Sequence, residues 1–520
     1  MTRPVNGCVT MRLSRQEHLN QALMRIPRRA ESTDRSTLAM TFVSAGSFSA
    51  MLHSTDHQIL YGRRGTGKTH ALLYLSDLIE RTGDVAVYLD LRTIGSAEGM
   101  YADSNLSPTV RGTHLLVDAL EAIQDQLLSV AFGSEIGDQN ALLLALDALA
   151  EAATAVKVVG EVEQETTLGG SAESSRSIEL TVSPSPNAKV SAARRKSATA
   201  QSRLRRTGIE RHHVVFGPLG RALRGVTSAL GGARLWLLLD EWSSVPLDLQ
   251  PLLADLLRRC VLPTPGITVK FAAVERRSRL RQPSLNGDYV GIEVGADAAS
   301  AVNLDDLMIF GNARSRAQEF FGQLFHNHTS ARLTKMIYEP PPDPDSFIEA
   351  TFCPRTFPEL VRAAEGVPRD AINIAALAAQ HARDKPIGLP DVRRAARDWY
   401  LRDKQTAINA NEPGRQMLRL LIDEVVGRRR SRTFLLDHLD ARHGTIDELY
   451  DARLLHVLQR GIVDSKSPGT LYDGFAIDYG CYVDLHVKPR DRGGWLNSPK
   501  GVPPDELSLA KEAINLGTLE

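Results

Sequence analysis

The chain is predicted to be an α/β protein, with a parallel sheet flanked by helices, then a helical region and a C-terminal piece combining helices with a hairpin. Three observations predict this. An apolar strand at 58–61 runs through a Gly-rich turn into a helix carrying Ala71, Leu72, Leu73, Leu75 and Leu78, and a second strand follows at 85–91. Helix and strand go on alternating at 218–230, 235–239, 249–260 and 267–274, as right-handed crossovers between parallel strands require. Past about residue 330 the strand patterns thin out, and helical ones at 358–365 and 369–383 replace them, with Gly366, Val367 and Pro368 as stop and start signals.

With 520 residues the chain exceeds what one hydrophobic core serves, so two or three domains are expected. Hydrophobic residues at 42% and charged residues at 24% exclude a wholly disordered or fibrous chain. Lysine plus arginine equals aspartate plus glutamate at 62 each, so no global field selects nucleic acid or membrane as a partner. Cys8, Cys260, Cys353 and Cys481 are scattered without a CxxC pair, which excludes a zinc or disulfide framework and fits a reducing cytoplasm. The longest uncharged apolar runs, such as 235–239, fall far short of the roughly 20 residues that cross a bilayer, so a cytoplasmic protein without a membrane partner is expected.

Residues 1–50 read as a polar, loosely attached arm with a short amphipathic stretch at 19–26. The core is expected over 51–330, with helices at 110–131 and 140–154 covering the sheet. An insertion at 155–212 interrupts it, rich in Ser, Thr, Gly and Pro, with two alternating stretches at 156–162 and 177–182 able to pair as a hairpin. Inside the insertion Lys189, Arg194, Arg195, Lys196, Arg203, Arg205 and Arg206 occur with no acid among them. Such a run suits either a solvated loop or a phosphate-rich partner. A helical lid is expected at 331–405. Helices at 414–426 and 446–458, then strands at 470–472 and 475–485, make 406–488 resemble a winged helix, and 489–520 reads as a flexible tail.

Gly62, Arg63, Arg64, Gly65, Thr66, Gly67, Lys68 and Thr69 match GxxxxGK[ST] at every specified position, after a strand and at the start of a helix. This is a P-loop. Its glycines let the backbone curl so that N–H groups point at phosphates, and the helix N-terminus adds partial positive charge. Lys68 is expected to reach the β- and γ-phosphates of ATP and Thr69 to ligate Mg2+, with His70 closing the binding segment. The apolar run 235–239 ends in Asp240 and Glu241. A helix N-cap with a first-turn acid would use the same pair. Beside a P-loop, Asp240 is instead expected to orient the magnesium shell and Glu241 to polarise the attacking water.

With these motifs and the run Gly366, Val367, Pro368, Arg369 and Asp370, the chain resembles the AAA+ ATPases, and among them the origin-recognition (ORC-like) branch. The resemblance spans 50–488 and implies a nucleotide-binding α/β domain, a helical lid and a C-terminal winged helix. It also implies that Arg369, a sensor-2 arginine, contacts the γ-phosphate. Glu275 departs from the pattern, standing where the family places a neutral polar sensor-1 residue. An arginine finger could come from Arg276, Arg277 and Arg279 or from Arg314 and Arg316. The helix expected at 446–458 carries Asp447, Glu448 and Asp451 against Arg453, with Arg460 just beyond it, a poor match to DNA phosphates.

Two functions therefore stay open. One is an ATPase coupling nucleotide state to assembly, as a homo-oligomer or with double-stranded DNA. The other is a STAND-type or phage-defence switch with slow hydrolysis, whose winged-helix domain binds protein. An ATP-binding module that has lost turnover is a third, plainer option.

Overall fold

The computed structural model describes residues 14–44, 48–94, 107–133, 137–154, 156–159, 181–182, 209–211, 215–283, 288–298, 300–305, 313–463, 469–483 and 513–518. The chain packs as two compact units, one formed by His53–Leu60 and Leu75–Val302, the other by Met1–Leu52, Tyr61–Tyr74 and Asn303–Glu520.

The first unit is built on the α/β sheet. Its strands are β1 (Gln58–Tyr61), β2 (Val85–Asp90), β3 (Leu235–Asp240), β4 (Ile267–Ala273) and β5 (Ser300–Asn303), in the order β5-β1-β4-β3-β2. The pairs β2/β3 and β3/β4 are parallel. Both β3 and β4 are buried along their whole length, which is why they read as continuous apolar runs rather than alternating ones. The helix Pro108–Gly133 packs on Gln250–Cys260, and Gln139–Thr154 packs on Phe216–Ala229. These are the helices that flank the sheet. Lys270 is the charged residue of β4, and its Nζ is held by Ser54 O at 2.6 Å, Asp56 O at 3.0 Å and Gln58 Oε1 at 2.5 Å. Burial pushes that ammonium down to about 7.

Of the expected insertion, Val156–Val159 pairs antiparallel with Thr181–Val182, as the alternation predicts, and also with Ile209–Arg211. The basic run at 189–206 lies outside the described residues.

The second unit holds an α-helical layer and a four-stranded sheet. Helices Ala313–Lys335, Pro344–Thr351, Thr356–Ala364, Pro368–Ala382 and Leu389–Trp399 share one core. The N-terminal arm belongs to that core: helix Arg15–Met24 buries Leu19, Ala22 and Leu23, and Asn20 Nδ2 donates to Arg383 O at 2.7 Å and Lys385 O at 3.0 Å. A loosely attached arm was expected here because the stretch is short and polar. Leu19, Ala22 and Leu23 nevertheless share one face, and that face is buried, while Met24 is exposed.

The C-terminal sheet comprises β6 (Thr433–Asp437), β7 (Leu455–Val463), β8 (Leu471–Ile477) and β9 (Ala513–Ile514), ordered β7-β8-β6-β9. Helix and hairpin are shifted against expectation. The helix Gly444–Asp451 ends seven residues early, Arg453 turns the chain at φ +60°, and Leu455, His456 and Val457 join β7. Apolar residues spaced for a helix had also satisfied a buried strand. The strand expected at 475–485 stops at Ile477, where Asp478 caps the short helix Tyr479–Tyr482. Within the expected tail, Ala513 and Ile514 pair parallel with Leu435 and Leu436.

Candidate nucleotide site

The phosphate loop lies in the second unit. The helix Lys68–Arg81 begins on the loop's lysine, and the glycines before it take left-handed backbone, φ +89° at Gly65 and +97° at Gly67. Thr66 closes the curl: its Oγ1 donates to Arg63 O at 2.9 Å. Lys68 Nζ donates to Gly62 O at 2.8 Å and Arg63 O at 3.0 Å, so the ammonium lies along the inner rim of the curl. Arg64 is exposed and Thr69 half-buried. His70 Nε2 meets Leu38 O at 2.9 Å, and burial lowers its pKa. Phe42 of the arm stacks on Tyr74 with centroids 3.9 Å apart, fixing the outer face of the same helix.

Arg369 is brought to this loop. It opens the helix Pro368–Ala382, and its N–H donates to Gly65 O at 3.1 Å. The approach is so close that a Cβ on Gly65 would stand 2.7 Å from Arg369 Cβ, which only glycine accommodates. Burial, and then the neighbouring Arg453, lower the pKa of the Arg369 guanidinium.

Arg63 is a residue that the motif leaves unspecified, yet it is only 4% exposed. Asp305 takes both its backbone N–H and its Nε, each at 2.8 Å. Arg63 Nη1 bonds His456 Nδ1 on β7, Nη2 reaches Glu365 O at 3.4 Å, and the guanidinium stands 5.6 Å from the Tyr450 ring centroid. From His456 the network continues. Its Nε2 meets Asp478 Oδ2 at 3.0 Å, and Lys404 Nζ bridges Asp478 at 2.5 Å and Asp370 at 2.8 Å. Trp399 and Arg453 complete the shell of Asp370, at 3.0 Å and 3.2 Å. Lys404, buried in this network, is the last residue of the π-helical turn Tyr400–Lys404. Asp305, Tyr450, His456, Lys404 and Asp478 were not predicted from the sequence. Their partners lie as far as 393 residues away, and no local pattern marks them.

The acidic strand end lies in the first unit. Asp240 is 1% exposed; its Oδ1 accepts the Glu241 N–H at 2.8 Å and its Oδ2 the Tyr88 hydroxyl at 2.8 Å. Glu241 takes left-handed backbone at φ +55°, and its Oε1 lies 3.8 Å from Arg92 Nη1. A non-glycine residue held in this conformation at a strand end is a feature that functional sites collect. Glu275 opens a short 3-10 turn, Glu275–Arg277, directly after β4.

Among the described residues no cluster of three or more His, Cys, Asp or Glu side chains could hold a metal by itself. The donors expected for magnesium, one carboxylate and one hydroxyl, are hard oxygens of the kind that ion uses together with phosphate. The buried carboxylate of Asp240, fixed by two donors, fits that use.

No family model and no curated protein matches the chain. Among solved structures it is similar to the Walker-type ATPase paby2304 of Pyrococcus abyssi, at 11% identity over 89% of this chain and 99% of that one, with a TM-score of 0.40. It is also similar to Cdc6p from Pyrobaculum aerophilum, at 11% identity over 90% and 97% of the two chains and a TM-score of 0.32. A third likeness is to Drosophila ORC bound to DNA, at 11% identity over 94% and 97% and a TM-score of 0.32.

Proposed function

We propose that this chain is an ATPase of the AAA+ type with ORC-like architecture, binding Mg-ATP through Gly62, Arg63, Arg64, Gly65, Thr66, Gly67, Lys68, Thr69 and His70. The observation that carries the reading is the loop itself. A complete GxxxxGK[ST] curl opens a helix with positive φ at Gly65 and Gly67, and Arg369 N–H rests on the Gly65 carbonyl.

In this reading the loop amides bind the phosphates and Lys68 carries the compensating charge. Thr69 and Asp240 would hold magnesium, which supplies charge neutralisation on the phosphates when bound. Glu241 accepts a proton from the attacking water, and Arg369 bonds the γ-phosphate. An arginine opening a helix of the lid turns loss of that phosphate into loss of a charge-assisted contact, and so into movement or altered assembly. The lid at 331–405, the winged-helix-like domain at 406–488 and double-stranded DNA or a second copy as partners belong to the same proposal. No described helix is long and apolar enough to cross a membrane.

Phosphate release by wild type and Lys68→Ala, each with and without double-stranded DNA, tests the chemistry and the partner together. The proposal expects turnover in wild type alone and stimulation or suppression by DNA. Equal rates in the two proteins would sink the ATPase reading. A second reading, a slow nucleotide switch whose winged-helix domain binds protein, draws support from Asp447 and Glu448 on the short helix Gly444–Asp451, which repel phosphates. It expects size change with ATP and no DNA shift.

A further inference from the structure

The buried contact of Arg63 with His456 is a use of loop and β7 that nucleotide binding alone does not explain. Arg63 offers the carbonyl that accepts Lys68 Nζ at 3.0 Å, so whatever fixes Arg63 also fixes the lysine. Its guanidinium has Asp305, His456 and the Glu365 carbonyl as partners. None of the three stands on a strand of the α/β sheet, and His456 stands on the C-terminal strand β7. Tyr450, on the helix before β7, stacks near the same guanidinium and donates to Asp305 at 3.4 Å.

We propose that Arg63, Asp305 and His456 form a latch that ties the phosphate loop to the C-terminal sheet, so that holding Lys68 ready for triphosphate and docking β7 are one equilibrium. The inference rests on the nucleotide reading above and names its regulation. By linkage, nucleotide on the loop stabilises the docked sheet, and an undocked sheet weakens nucleotide binding by the same factor. The side chains of Arg63 and His456 are positioning groups in this scheme, both turned to protein partners rather than to phosphate.

The protonation pattern makes the latch readable. Asp478 accepts from Nε2–H, which leaves Nδ1 as the acceptor for Arg63 and the ring neutral. Burial, aided by Arg63 and opposed by Asp478 and Glu365, keeps the ring below its ordinary pKa. The charged groups around it are Arg63, Asp478 and Glu365, with Lys404 on Asp478 and Asp305 on Arg63. A proton on Nδ1 would set a donor against a donor and open the latch.

The test is Mg-ATP affinity by calorimetry on the full chain, with hydrogen exchange of β7 and β8 as the second readout. Wild type binds, and Mg-ATP slows exchange in those strands. His456→Ala weakens binding by about tenfold or more, Arg63→Met does the same, and the double variant loses little beyond either, because each breaks the same latch. His456→Asn keeps an acceptor toward Arg63 without titrating. It binds within about threefold of wild type at neutral pH and lacks the extra loss of affinity that wild type shows on acidification. Protonation of ATP itself is common to both proteins and cancels in their ratio. Should His456→Ala fail to fold, the Asn variant decides through its pH profile and its exchange pattern. Wild-type affinity in a folded His456→Ala, or full acid sensitivity in His456→Asn, overturns the latch and leaves the nucleotide reading standing. Absence of binding by wild type overturns both.

Discussion

The phosphate loop and the acid-tipped strand hold their charges in opposite ways. Arg63 of the loop is fixed by side chains 242 and 393 residues away, and a buried network continues from it through the neutral ring of His456 to Asp478, Lys404 and Asp370. Asp240 of the strand is fixed by its neighbour's amide and by Tyr88 on the adjacent strand. One end therefore depends on the packing of the whole second unit, while the other is assembled from local sheet geometry. The difference teaches where coupling can enter: a charge held by remote partners can report on them, and a charge held locally cannot.

Removing one member of a buried charge network should give the largest effect on stability. Lys404→Met leaves Asp370 and Asp478 facing each other at 0% and 1% exposure. It should cost about 3–5 kcal/mol, read as a large fall in calorimetric melting temperature, because Asp478 is then a buried carboxylate with only the neutral His456 beside it while Asp370 keeps Arg453. Burial alone would raise the Asp370 carboxyl, but Lys404 and Arg453 outweigh it and hold the group at about 2. A depressed carboxyl stabilises above its unfolded value and loses that contribution as pH falls. Wild type should therefore lose stability between roughly pH 4 and pH 2, and a melting temperature flat across that window would remove Asp370 from the comparison.

Catalytic variants come next. Lys68→Ala should lower turnover by about 10²–10³, and Glu241→Gln by about 10² or more with nucleotide binding retained. Equal loss of binding in the Gln variant would reassign Glu241 to a structural role. Gly65→Ala is smaller. Left-handed backbone and a clash with Arg369 Cβ should destabilise by about 1–3 kcal/mol and weaken Mg-ATP binding, and no change in either would deny the close approach. Smallest is Tyr88→Phe, which removes one donor from Asp240 and should cost about 1 kcal/mol on urea denaturation, since strand geometry still holds the carboxylate.

The sheet and the loop were legible in the sequence because their signals are short-range. GxxxxGK[ST] needs a strand before it and a helix after it, and five consecutive apolar residues before Asp240 can be only a buried element. His456 was missed for the opposite reason. Apolar spacing at 446–458 suits a helix, and only the turn at Arg453 places Leu455, His456 and Val457 on a strand. The burial of Arg63 was equally hidden, since an arginine in a glycine-rich turn looks solvated until Asp305 and His456 are brought to it. Arg369 was reached through a family resemblance rather than from periodicity, and its contact with Gly65 depends on tertiary packing.

Calorimetric titration of ATP with magnesium into folded wild type and Lys68→Ala tests the central claim most directly. Saturable heat in wild type, lost when the lysine is removed, is the predicted result. Identical heats in the two proteins, or none in wild type, would contradict it.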